Sequence, residues 1–331
     1  MTMAGGRRVP ALDFTKGMLV LIMVLYHWLN YFVGFDHEFY RYLRFLTPSF
    51  IFITGFLISN AYLSRYSASD IGLRRRLVQR GLKLLGLFVV LNLLASTIRP
   101  VNAVSFESLA GTIITGEVLL TTAGKGASFY VLVPIAHLLL LSALLLWMGT
   151  FFRHVFLVTL FSFLLAIVIL DLNGLQSPNL ELVAIGILGI VCGEIPLTTI
   201  DRLGRHWILL IIAYICYVAA IAVWDVRYYL QIIGVCLSLS ILYLLGIERG
   251  EPGVLRKQLV LVGKYSLFAY IAQIAILQVL RRGLRHVALE PLTLTISFLM
   301  ALGLTVLAVL ILDRLRARAQ TINRLYGAVF S

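Results

Sequence analysis

Apolar runs of about twenty residues recur along this chain from end to end, separated by short charged connections. A run of that length is what an α-helix needs to cross the hydrocarbon core of a bilayer. Inside lipid every backbone N–H and C=O must be paired within the segment, so repeated runs of this kind demand helices. Only 13% of the 331 residues are charged and 60% are hydrophobic. A soluble domain carries about 25% charged residues, so a water-facing surface of this size is excluded. The expectation is an all-α, polytopic integral membrane bundle of about ten transmembrane helices, forming a single domain over residues 1–331.

The helices are expected at about 17–35, 45–63, 82–98, 128–150, 155–171, 179–196, 207–224, 229–247, 259–280 and 291–312. The ninth is the least distinct, because polar residues interrupt it. Arg7 and Arg8 ahead of the first run imitate a signal peptide. No small-residue cleavage site follows, so the run is read as a retained helix. Of the 28 Lys and Arg, twenty fall on one alternating set of connections, including both ends, and eight on the other. The richer side is the cytoplasmic one, which puts both termini inside and makes 313–331 a short basic cytoplasmic tail. The same count accounts for the net charge of +13. No basic, aromatic-interleaved domain stands outside the apolar runs, so nucleic acid is not an expected partner. Cys192, Cys216 and Cys236 lie far apart within apolar segments and suggest neither a disulfide framework nor a metal site.

Two stretches resist the simple plan. Arg281, Arg282 and Arg285 fall on the outer side, where they either bind an anionic group or are merely tolerated. The 99–127 connection is too apolar around Ile113–Leu120 for a free loop and reads as a re-entrant or interfacial piece.

Polar residues within the bilayer are expensive and therefore informative. Lys16 and His27 are eleven residues apart, which at 100° per residue brings them within about 20° of one face and separates them by roughly 16 Å. Asp13 shares that stripe, and Asn30 and Tyr31 continue it outward. One reading is a tunnel wall with Asp13 and Lys16 at the cytoplasmic mouth and His27 deeper, where an imidazole suits a general base. The other is a histidine bonded to a neighbouring helix and a lysine snorkelling to the surface. Ser266, Tyr270 and Gln273, at i, i+4 and i+7, form a second polar stripe, which either lines the same cavity or bonds between helices. His137, three residues after Pro134, reads as a packed, satisfied histidine. Glu181 and Glu194 point about 140° apart and make no carboxylate pair. Gly189 and Gly193 read as a small-xxx-small helix contact. The 74–83 loop packs five cations into ten residues, either for topology alone or partly to hold coenzyme phosphates.

Several of these segments resemble the membrane acyltransferase family 3. Ala11-Leu-Asp-Phe-Thr-Lys-Gly followed by His27 is similar to that family's opening Leu-Asp-x-x-Arg-Gly with its Arg-x10-His spacing, with Lys16 in place of the Arg. Phe52-Ile-Thr-Gly-Phe-Leu-Ile is similar to its Phe-Phe-x-x-Ser-Gly-Phe-Leu-Ile. Arg75, Arg76 and Arg80 resemble its cytoplasmic Arg-rich motif, without the Pro that should follow. Ser128-Phe-Tyr-Val-Leu loosely resembles its fourth-helix motif. Gly263-Lys-Tyr-Ser-Leu-Phe-Ala-Tyr-Ile-Ala-Gln resembles its late Gly-x-x-Ser-Leu-x-x-Tyr-Leu-x-His, with Gln273 for the His.

The resemblance, which extends to glucan succinyltransferases and heparan glucosamine N-acetyltransferase relatives, implies transfer of an acyl group, most commonly acetyl. The donor would be cytoplasmic acyl-CoA and the acceptor a hydroxyl of an extracytoplasmic glycan or lipid-linked sugar. It implies His27 as the catalytic base with Asp13 and Lys16 beside it. Lys16, Arg75, Arg76 and Arg80 would hold the coenzyme, with Tyr31, His37, Ser266, Tyr270 and Gln273 near the acceptor. No metal or prosthetic group is expected. The implied location is the plasma membrane, in a bacterium the inner one, with membrane lipids as neighbours. Two rivals stand beside it: a noncatalytic scaffold or export factor with a degenerate acyltransferase fold, and a lipid or small-molecule transporter.

Overall fold

The computed structural model describes residues 9–34, 38–63, 70–98, 106–114, 129–148, 152–224, 228–247, 253–284 and 290–330. Among them are fourteen α-helices and no strand. His37, Arg285 and most of the 99–127 connection lie outside the described residues, as does Ser128. All ten expected segments are helical. Among the described residues seven helices are long and apolar enough to cross a membrane, and a bent pair makes up to eight. Two of the ten expected spans, Leu132–Trp147 and Pro178–Cys192, are shorter apolar helices.

Chain contacts divide the protein into two units, 1–49 with 198–331 and 50–197. The first unit is organised around α1 (Pro10–Phe32). Pro10 opens it, where a missing N–H costs nothing, and Asp13 sits in the first turn, where a carboxylate meets the positive end of the helix dipole. The same unit holds α8 (Leu197–Leu203) from Thr198 onward, α9 (Trp207–Val223) and α10 (Tyr228–Gly246), the last packed against α1. They are followed by α11 (Val254–Lys264), α12 (Ser266–Gly283), α13 (Pro291–Arg318) and α14 (Gln320–Phe330).

Where the sequence predicts a polar ninth span there are two helices: α11 and α12 meet at Tyr265 with a bend of 91°. Side chains hold the elbow. The Tyr265 hydroxyl donates to Asp313 Oδ1 on α13 at 2.6 Å, and Lys264 Nζ reaches the same oxygen at 3.0 Å. The expected basic tail is helical too. It extends α13 to Arg318 and forms α14, whose Tyr326 takes the Arg316 guanidinium over its ring at 4.0 Å.

The second unit holds α2 (Leu46–Leu57) from Phe50 onward, α3 (Ile71–Ile98) and α4 (Phe106–Ile114). α5 (Leu132–Trp147), α6 (Phe152–Leu172) and α7 (Pro178–Cys192) complete it. The expected 74–83 loop is instead the first part of α3. Leu73 and Leu77, one turn apart and fully buried, anchor it, and Arg, Lys, Leu and Gln are good helix formers. The glycine contact is real: a Cβ on Gly189 would stand 2.2 Å from the Phe52 carbonyl oxygen of α2. Tyr130, at the entry to α5, donates to Asn179 Oδ1 on α7 at 2.5 Å, and Asn179 Nδ2 donates to the Thr112 carbonyl of α4 at 3.2 Å.

Candidate active site

The polar stripe of α1 faces the end of α11 and then α12. At the N-terminal end α1 touches α11 backbone to backbone, since a Cβ on Gly17 would lie 2.0 Å from the Leu259 carbonyl oxygen. Further along, the His27 and Tyr270 rings stand 6.0 Å apart. Beyond that, Gln278 Nε2 donates to the Tyr31 hydroxyl at 3.2 Å, and the Arg281 guanidinium lies over the Phe32 ring at 5.7 Å. These pairs advance together, so α1 and α12 run in the same direction.

Three polar atoms on this seam are buried without a hydrogen-bond partner among the described residues: Nε2 of His27, and both Oε1 and Nε2 of Gln273. Gln273 is completely buried. It lies one turn beyond Tyr270 on the same face of α12, between the turn that meets His27 and the turn that meets Tyr31. Leaving a buried donor or acceptor unmade costs about 1–3 kcal/mol, and native proteins keep few such groups. The orphaned imidazole nitrogen and the orphaned amide thus stand on facing helices.

The surroundings hold these side chains still. Trp28 Nε1 donates to Ser297 Oγ of α13 at 2.9 Å, and Trp28 and Tyr31 pack against Val24, Phe32, Leu277 and Ala301. Tyr26 sets its ring edge-on to His27, with centroids 5.2 Å apart, and packs against Tyr40 with the rings tilted and their centroids 4.4 Å apart. Tyr26, Tyr40 and Gln278 were not among the expected site residues. Tyr26 is off the polar stripe of α1, and only the density of tyrosines at 26, 31 and 40 signals the cluster.

The pair near the start of α1 is ionic: Lys16 Nζ lies 2.5 Å from Asp13 Oδ1, with side chains only 19% and 12% exposed. The lysine charge is therefore neutralised locally. Ser266 opens α12, half-buried, one turn before Tyr270. The structure thus brings together His27, Tyr31, Tyr270 and Gln273 on one seam, with Asp13 and Lys16 at its near end.

The arginines of α3 belong to the second unit and split between faces. Arg76 and Arg80, four residues apart, share one face, and Arg80 donates to the Tyr62 hydroxyl. Arg75 lies about 100° away from Arg76 and lines a groove with Arg74. Among the described residues no three His, Cys, Asp or Glu side chains converge on a point that a metal could occupy.

Comparison with known proteins settles the family. The family model for an acyltransferase domain, acyltransferase 3, matches residues 9–314. The chain belongs to the membrane acyltransferase family 3. No curated protein and no solved structure matches it at a significant level. With its several apolar helices, this acyltransferase is a multi-pass membrane protein.

Proposed function

We propose that this acyltransferase moves an acyl group, acetyl foremost, from cytoplasmic acyl-CoA to a hydroxyl of an extracytoplasmic glycan or lipid-linked sugar, at the plasma membrane. The observation that carries this reading is the orphaned His27 Nε2, buried opposite Tyr270, with the orphaned Gln273 amide one turn beyond Tyr270 on α12.

In this reading the acceptor hydroxyl donates to His27 Nε2, which takes its proton as the oxygen attacks the thioester carbonyl carbon. A C–O bond forms and the carbonyl becomes an oxyanion. The Gln273 N–H groups are donors for that oxyanion, and donors fixed in a dry site stabilise developing charge far better than water does. Collapse of the intermediate breaks the C–S bond. The thiolate leaves with the proton that His27 carried, which regenerates the neutral imidazole. The Asp13–Lys16 pair holds the start of α1 in register, and Tyr31 with Gln278 borders the acceptor side. Arg76 and Arg80 are our proposed ligands for the coenzyme phosphates, since guanidinium forks match phosphate oxygens. That assignment is tested separately by coenzyme A binding to R76Q/R80Q.

The test is thiol release by the purified protein in lipid, supplied with acetyl-, propionyl- or succinyl-CoA and a glycan mixture. Acceptor-dependent release with one donor is the expected outcome and identifies the acyl group. Failure to bind any acyl-CoA sinks the reading in favour of a scaffold or transporter.

A further inference from the structure

The second unit contains a groove that the acyl-transfer reading does not use. Its volume is about 590 Å³, within the range of small-molecule sites. Arg74, Arg75 and Val78 of α3 form one wall, and Leu140, Leu144 and Trp147 of α5 form the other. With Ile71 and Ala143, each wall follows the i, i+3, i+4, i+7 spacing of a single helical face. The two helices meet closely where a Cβ on Gly81 would stand 2.8 Å from Leu140 Cγ. α3 runs from Arg74 toward Gly81 while α5 runs from Leu140 toward Trp147, so the arginine end of one lies beside the tryptophan end of the other.

The chemistry of the walls is two-part. The floor and sides are apolar, and much of that surface is bare: Leu144 is 52% exposed, Ile71 73% and Trp147 73%. On a membrane protein, lipid covers such a face. At the same end stand two guanidinium groups, on the side of the chain where the Lys and Arg concentrate. Basic pockets between membrane helices on the cytoplasmic side take anionic headgroups, and tryptophan favours the headgroup level. A free phosphate would leave the apolar walls unused, and a zwitterionic lipid would bring its own cation to the arginines.

We propose that this groove is a binding site for an acidic phospholipid, its phosphate held by Arg74 and Arg75 and one acyl chain laid along Val78, Leu140 and Leu144. The site separates Arg75 from Arg76 and Arg80 in role as well as in direction.

Native mass spectrometry of the full-length protein, released from mixed vesicles of phosphatidylglycerol and phosphatidylcholine, tests it directly. The wild type is expected to retain phosphatidylglycerol in preference to phosphatidylcholine. R74Q/R75Q is expected to lose that preference by roughly tenfold or more, since each cation near an anionic surface contributes about 1 kcal/mol. L144E, an exposed change that leaves both arginines in place, sets a carboxylate in the groove and is expected to weaken the preference too. Equal retention of the two lipids by the wild type overturns the proposal. So does a phosphatidylglycerol preference that survives both variants. Loss of coenzyme A binding in R74Q/R75Q with lipid retention intact also overturns it and makes the groove a donor site. The readout does not involve acyl transfer, so it stands or falls apart from the proposed activity.

Discussion

Gly263 lies so close to Asp13 that a Cβ added at 263 would stand 1.7 Å from the Asp13 carbonyl oxygen. The obstacle is backbone, which cannot swing aside as a side chain would. The Lys16-Gly17 and Gly263-Lys264 segments, more than two hundred residues apart, are thus two halves of one helix contact. Gly263→Ala is expected to push α1 and α11 apart and cost more than the roughly 1–3 kcal/mol of an ordinary overpacking change. Thermal unfolding in detergent checks it: a large fall in Tm is expected, and an unchanged Tm contradicts the close approach.

The Asp13–Lys16 pair is largely shielded from water, so its parts are not interchangeable. Removing one partner leaves the other charge poorly solvated, whereas removing both leaves none. Lys16→Ala is therefore expected to destabilise more than the D13N/K16A double change, by on the order of 1 kcal/mol after discounting for partial exposure. A double-mutant cycle on unfolding reads the coupling directly. Additive effects would mean that the pair contributes nothing. Lys16→Arg is expected to retain the pairing.

Gln273 separates a functional amide from a structural one. Its two orphaned atoms destabilise the fold, so Gln273→Met, similar in volume and without the amide, is expected to leave the Tm unchanged or raise it. If the amide meets the oxyanion, the same change lowers kcat by about 100-fold with little effect on KM for the acceptor. A fall in both stability and rate would show that the amide has a structural partner and is not an oxyanion donor.

Much of this was readable from the residues, for identifiable reasons. The ten apolar runs are all helical because lipid leaves the backbone no alternative. The eleven-residue step from Lys16 to His27 and the stripe from Tyr270 to Gln273 were visible because helical periodicity is local. Helix ends were not: α3 begins at Ile71 and α1 at Pro10, since a charged extension carries no apolar signal although Leu73 and Leu77 bury one face of it. The polar residues that blurred the ninth span mark an elbow at Tyr265, held by Asp313 from α13, a partner 48 residues away. The pairing of α1 with α12, and the ring of Tyr26, Tyr40 and Gln278 around His27 and Tyr31, depend on contacts across the chain that no spacing rule reports.

His27 carries the central claim. The most direct test is transfer of a labelled acetyl group from acetyl-CoA to the acceptor by purified His27→Ala in lipid, beside wild type, with acetyl-CoA binding measured on the same samples. Loss of a general base lowers the rate by about 100- to 10,000-fold. The predicted result is such a loss with acetyl-CoA still bound. Transfer at the wild-type rate by His27→Ala would contradict the account.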